Sequence, residues 1–271
     1  VGFAMNAFEK HGIKHLSASS LNLARDNFPL WIVRYLGKVK GQQSVNMLAG
    51  IAVEEAVARG LDHPDTDEED VIQFAKDEYL KKTALGFDAD ARDNKLQEIV
   101  GRPAEGRKQA WNGMVRNALH TLRPYGIPTK PENGKQHRIE VFLDGIPVPL
   151  IGYKDFSFDQ HGLDIDLKTT GRMPSDMSFD HQLQGAVYWK ASGNRAQRFA
   201  YVTKAKADVL ELTPEAAAYA IHTATGIAHC LQRFLSLSSD WQELSQLTIP
   251  DYSNFRWDSL TAGAARELWG F

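Results

Sequence analysis

In SVNMLAGIAVEEAVARG, residues 44–60, apolar side chains recur at Val45, Leu48, Ala49, Ala52, Val53, Ala56 and Val57. That three- and four-residue spacing predicts a helix with one buried face. Much of the first 125 residues reads the same way. SASSLNLARDNFPLWIVRYLG offers Ser17 or Ser19 as a helix cap, and Pro29 breaks its pattern. VIQFAKDEYLKKTA follows an acidic run whose carboxylates suit the positive end of a helix dipole. WNGMVRNALHTLR is the clearest amphipathic piece. PYGIPTKPENG, residues 124–134, is the best boundary candidate, and after it the period changes to two. HRIEVFLDGIPVPLIGYKDFSFD carries Asp144-Gly145 between apolar runs, which predicts a two-residue hairpin. LDIDLKTT reads as a strand, SFDHQLQGAVYWKAS as a helix, and RFAYVTK and DVLELT as strands. TPEAAAYAIHTATGIAHCLQRFLSL is a long helix with Pro214 in its first turn.

This order predicts an α/β fold with a central mixed sheet flanked by helices and a helical N-terminal region. Three parts are expected within one compact unit: a mainly helical region over 1–125, a core of sheet and helices over 126–235, and an aromatic-rich tail over 236–271 packed on that core.

Composition changes this picture little. The 271 residues are 43% hydrophobic and 24% charged, as in ordinary soluble domains. No apolar run reaches the ~18–20 residues that span a bilayer, so no membrane partner is expected. The lone Cys230 excludes an internal disulfide and any four-cysteine cluster, and a reducing cytoplasm is the expected compartment. Net charge is −3, but DHPDTDEED at 62–70 alone holds six carboxylates. Basic clusters at 10–15, 106–109, 135–138 and 203–206 leave the remainder net positive, so global charge does not decide for or against nucleic acid.

The informative stretch is GYKDFSFDQHGLDIDLKTTG, 152–171, where Asp155, Asp164 and Asp166 interrupt strand-like runs. A turn at DQHG sets Asp155 opposite Asp166. Like charges directly opposite destabilise a sheet, and burying them without partners costs more. A divalent cation between them removes both problems, and hard oxygen ligands suit Mg²⁺ or Mn²⁺ better than zinc. Alternation puts Lys168 on the face of Asp166, with Ile165 and Leu167 on the other. Asp164 is expected to face solvent or sit in the turn. Taken alone, the same residues also describe a surface ion-pair cluster.

G-Y-x-D followed ten residues later by I-D-L-K-T-T resembles the PD-(D/E)XK nuclease superfamily, in particular its RecB-like exonuclease branch. HLSASSLN (15–22) is similar to the branch's L-S-x-S helix start. GIAVEE (50–55) is similar to its G-x-x-x-H-E helix, with Glu54 in place of His, and QGAVY (184–188) to its Q-x-x-x-Y signature. These ordered motifs cover roughly two-thirds of the chain, residues 15–188. The resemblance implies a restriction-endonuclease-like core. It implies Asp155, Asp166, Glu54 and the Leu167 carbonyl as metal ligands, with Lys168, Asp155 and Asp166 catalytic. Glu54 and Glu55 both remain open as the helix ligand. Gln184 and Tyr188 would touch DNA or brace the site, and Ser17, Ser19 and Thr169 would lie along the DNA. Phe28 stands before Pro29 where the branch often has Cys, so no iron–sulfur cluster is expected. With no G-x-x-x-x-G-K-[ST] loop, no nucleotide is expected either.

The implied activity is a Mg²⁺- or Mn²⁺-dependent DNA exonuclease of recombination, repair or phage genome processing, with DNA and a single-strand annealing or recombination protein as partners. A structure-selective or restriction-type endonuclease is the alternative within the superfamily, and a catalytically silent DNA-binding module the alternative outside enzymes. Among weaker features, His181 beside Asp180 reads as a partly exposed helix residue near the site. Glu140 is a second-rank acidic candidate. Trp241, Tyr252, Phe255, Trp257, Trp269 and Phe271 either pack on the core or stack on bases.

Overall fold

The computed structural model describes residues 5–101, 113–131 and 136–271. The basic stretch 106–109, Trp111, Asn112 and residues 132–134 of the boundary segment lie outside the described residues.

Helices come first. α1 (Ala7–Lys10), α2 (Ala18–Asp26) and α3 (Phe28–Trp31) precede a π-helical turn at Ile32–Leu36. Then follow α4 (Val45–Asp62), α5 (Glu68–Lys82), α6 (Ala89–Val100) and α7 (Met114–Leu122). Their starts are written locally. Ser17 accepts from the Ser20 amide to cap α2, and Ser44 caps α4. Asp67 caps α5, whose first turn holds Glu68, Glu69 and Asp70 against the helix dipole. Pro29 opens α3 behind the cap Asn27 instead of merely ending a helix.

β1 (His137–Val141) and β2 (Leu150–Lys154) pair antiparallel as a separate ribbon. The predicted two-residue hairpin is not formed. Gly145 does turn, at φ 73°, but β2 starts only at Leu150. Pro147 and Pro149 lack the N–H groups that an earlier ladder would need. The Pro149 carbonyl accepts from the Leu16 amide instead, tying the ribbon to the entry of α2.

After one residue, Asp155, the chain enters β3 (Phe156–Phe158), then β4 (Leu163–Thr169), α8 (Phe179–Ala191), β5 (Ala196–Val202) and β6 (Ala207–Glu211). The sheet order is β3-β4-β5-β6, with β4 and β5 parallel and both outer pairs antiparallel. α8 makes the crossover that a parallel pair requires. α9 (Pro214–Leu235), α10 (Trp241–Ser245) and α11 (Ser259–Trp269) complete the chain.

Two apolar cores result. One joins α2, α3, α8 and α9 to the β1–β2 ribbon through residues such as Trp31, Leu150, Leu183 and Leu231. The other joins α4, α5 and α7 to Phe156, Phe158, Leu163, Ile165 and Leu167 of the sheet. Trp241, Trp257 and Trp269 pack against the first core, whereas Phe255 is 86% exposed. Among the described residues no helix is long and apolar enough to cross a membrane.

Candidate functional site

The β3–β4 pairing runs in the register read from DQHG. Phe156 faces Ile165, Ser157 faces Asp164 and Phe158 faces Leu163. The turn is a 3₁₀ segment over Asp159–His161 closed by Gly162 at φ 60°, where the left-handed backbone favours glycine. Extending the register by one residue brings Asp155 against β4 beside Asp166. Asp155 lies in the bend between β2 and β3, and its Oδ2 accepts from the Leu167 amide at 2.9 Å. In a strand the N–H and C=O of one residue point to the same edge, so the Leu167 carbonyl faces the same gap.

Alternation along β4 divides its side chains. Leu163, Ile165 and Leu167 enter the α4–α7 core, while Asp166 turns toward α8. Gln184 of α8 donates to Asp166 Oδ1 at 2.9 Å and to the Tyr188 hydroxyl at 2.8 Å. Tyr188 in turn donates to the Tyr153 carbonyl at 2.7 Å. Gly152 makes this approach possible, because a Cβ there would stand 2.6 Å from Tyr188 Cε1. Tyr188 is 5% exposed, its hydroxyl is bonded to the Tyr153 carbonyl, and its ring lines the floor of a cleft beside Gln184. Its hydrogen bonds brace Gln184 against Asp166.

Lys168 forms an ion pair with Asp166 Oδ2 and lies 5.7 Å from the centroid of the Phe199 ring. α4 brings Glu54 to the same place. Its Oε1 accepts from Gln136 at 2.6 Å, whereas Glu55 is exposed and pairs with Lys82 at 3.0 Å. The helix therefore presents Glu54, not Glu55.

The electrostatics tie these four groups together. Burial raises the Asp155 carboxyl well above its ordinary range, with Asp166 and then Glu54 adding to the shift. Burial likewise raises Asp166, against the opposing pull of Lys168. Glu54 is raised by burial and by Asp166. For Lys168 burial works against the charged form, but Asp166, Asp155 and Glu54 outweigh it and the ammonium is stabilised. Asp155, Asp166 and Glu54 thus all act on the Lys168 ammonium.

Among the described residues no three His, Cys, Asp or Glu side chains are already gathered tightly enough to hold a metal. Leu167, Lys168, Gln184 and Gln136 stand on the carboxylate oxygens instead. The donor set itself fits a hard divalent cation: oxygens only, mostly buried, with excess negative charge.

Other expected residues take varied positions. Ser17 Oγ caps α2 and lies 3.0 Å from Ser19 Oγ. Both line a cleft of about 520 Å³ with Tyr153, His181, Gln184 and Arg256. A second cleft of about 440 Å³, on the Glu54 and Asp155 side, is lined by Lys130, Gln136 and His137. Thr169, at the end of β4, lies beside Gly50 of α4. His181 stacks on Phe199 and contacts the Tyr201 hydroxyl at 2.7 Å; burial and then Lys168 lower its pKa to about 4. Its neighbour Asp180 turns away to pair with Arg25 and Arg256. Glu140 is exposed and pairs with Arg138, outside the site.

Asp164 is the correction. Expected in solvent or a turn, it is 2% exposed. Two residues from Asp166 on one strand, it shares that residue's face. Lys154 and Arg195 neutralise it at 2.7 Å and 3.3 Å. Lys154 was legible only as a basic residue beside Asp155, and Arg195 carries no local signal linking it to β4.

No protein-family model matches the chain, and no curated protein matches it. Among solved structures, the crystal structure named "Putative exonuclease" from Eubacterium rectale matches 97% of this chain and 94% of its own, with a TM-score of 0.56 and 14% identity. At that identity the likeness establishes a shared fold and no more. A second structure, SSO0001, covers 75% of the chain at a TM-score of 0.32 and carries no argument.

Proposed function

We propose that the protein is a metal-dependent deoxyribonuclease of the PD-(D/E)XK type, RecB-like branch, that digests linear DNA from its ends. The observation that carries this reading is the placement of Asp155 on the Leu167 amide and Lys168 on Asp166, side by side on β4, with Glu54 of α4 in the same field. The fold shared with a protein bearing an exonuclease name supports it.

Asp155, Asp166, Glu54 and the Leu167 carbonyl would hold Mg²⁺ or Mn²⁺. When bound, such an ion polarises a phosphoryl oxygen and lowers the pKa of water. The remaining work belongs to the chain. Lys168 is kept protonated by its three acidic neighbours, and a fixed ammonium there stabilises negative charge developing on the scissile phosphate. Gln184 and Tyr188 hold Asp166 in one orientation. His181 stays neutral at physiological pH, so the cationic character at this end of the sheet comes from Lys168. The two clefts flanking the bend give a strand access from both sides.

Digestion of end-labelled linear and covalently closed circular DNA with Mg²⁺, Mn²⁺ or EDTA tests the reading. Loss of linear DNA in metal alone is expected. Full activity in excess EDTA excludes metal dependence, and cutting of closed circles assigns an endonuclease.

A further inference from the structure

Asp164 and Lys154 form a buried ion pair that the chemistry above does not use. Lys154 is 8% exposed and Asp164 2% exposed, with Nζ and Oδ2 2.7 Å apart. The carboxylate also accepts from Ser157 Oγ at 2.8 Å and Gln197 Nε2 at 2.9 Å, and Arg195 Nε stands 3.3 Å away. Lys154 ends β2 in the ribbon, whereas Asp164 lies on β4 in the other sheet. The pair therefore spans the two sheets at the place where the chain passes between them. Lys154 immediately precedes Asp155, and Asp164 stands two residues before Asp166 on the same strand face.

Stability is a poor explanation for such a pair. Desolvating two charges largely cancels their attraction, and apolar replacements often serve as well. What the pair does supply is a fixed geometry. Moving Lys154 away from Asp164 moves Asp155 away from Asp166. We propose that Lys154 and Asp164 are a positioning pair that sets the separation of Asp155 and Asp166, and thereby the affinity of the site for a divalent cation. The proposal rests on the nuclease reading above.

The test is calorimetric titration of Mn²⁺ into the intact protein and its variants, alongside thermal melts and cleavage. In Lys154→Met, Asp164 keeps Arg195, Ser157 and Gln197, so the variant should melt cooperatively. Its Mn²⁺ affinity is expected to fall by up to about 10–100-fold, the range for losing a group that orients metal ligands without touching the metal. Cleavage should recover substantially at saturating Mn²⁺, and Lys154→Arg should restore part of the affinity. Wild-type Mn²⁺ affinity in folded Lys154→Met overturns the proposal. If Lys154→Met does not fold, Lys154→Gln is read by the same titration and the same criterion. Failure of both to fold makes the pair a structural element and also overturns it. A wild-type protein that binds no Mn²⁺ is a different result, since it removes the nuclease reading itself.

Discussion

The Leu167 amide donates to Asp155 Oδ2 at 2.9 Å, one step beyond the last paired residue of β3. A side chain thus continues a strand ladder that the backbone has left. This places the carboxylate of a bend residue at the edge of the strand that carries Asp166 and Lys168.

Asp166→Asn should abolish cleavage while the metal-free protein melts no lower than wild type. The substitution keeps an acceptor for Gln184 and removes one of three clustered negative charges. Cleavage assays and melts in EDTA check this together. A large drop in metal-free stability would show that the carboxylate serves the fold.

Glu54→Gln should lose most activity and Glu55→Gln almost none. Glu54 lies with Asp166 and Lys168, whereas Glu55 faces Lys82 on the surface. Exposed pairs of that kind contribute only about 0–1 kcal/mol, so Glu55→Gln should also melt normally. Glu54→His, which keeps a metal-ligating group, should retain detectable cleavage.

Lys168→Met should slow single-turnover cleavage by roughly 10²–10³, the scale for losing one positioned electrostatic group, with DNA binding nearly unchanged. A lysine that merely tracked phosphates would weaken binding and lower its salt slope by about one unit. Measuring both quantities separates the two roles, and near-normal cleavage with a reduced slope removes Lys168 from the chemistry.

The pH dependence has a definite sign. Asp155, Asp166 and Glu54 all have pKa values raised by burial in the folded state, so the folded protein holds their protons more tightly than the unfolded chain. Their contribution to stability is present below the ordinary carboxylate range and is lost as pH rises through the raised values. The metal-free protein should therefore melt lower as pH climbs from the ordinary carboxylate range through the raised values. Mn²⁺ replaces the lost protons, so the gap between melts in Mn²⁺ and in EDTA should widen over that interval. A gap that narrows with rising pH would place the metal elsewhere.

Gly152→Ala should weaken both stability and cleavage. The new methyl group would meet Tyr188, and displacing that ring breaks the path from Tyr153 through Gln184 to Asp166. Shortening position 188 with Tyr188→Leu in the same protein should recover stability without recovering cleavage.

The site was legible where its information is local. The DQHG turn dictates the pairing of β3 with β4, and residue spacing alone places Asp155 near Asp166. Period gave the long helices, and Ser44, Asp67 and Thr213 prove to cap their starts. What escaped depends on distant partners. The choice of Glu54 over Glu55 follows from how α4 docks on the sheet. Burial of Asp164 needs Lys154 and Arg195, the latter 31 residues further along the chain. The Asp144-Gly145 signal misled because Pro147 and Pro149 follow it, and a strand cannot start where its donors are missing.

Asp155 is the only residue between the ribbon and the four-stranded sheet. Its backbone joins the ribbon of the first core directly to β3, whose Phe156 and Phe158 belong to the second. With no slack between β2 and β3, the ribbon cannot tilt on the sheet without drawing the Asp155 carboxylate off the Leu167 amide. The position of that carboxylate and the tilt of the ribbon are therefore one mechanical coordinate.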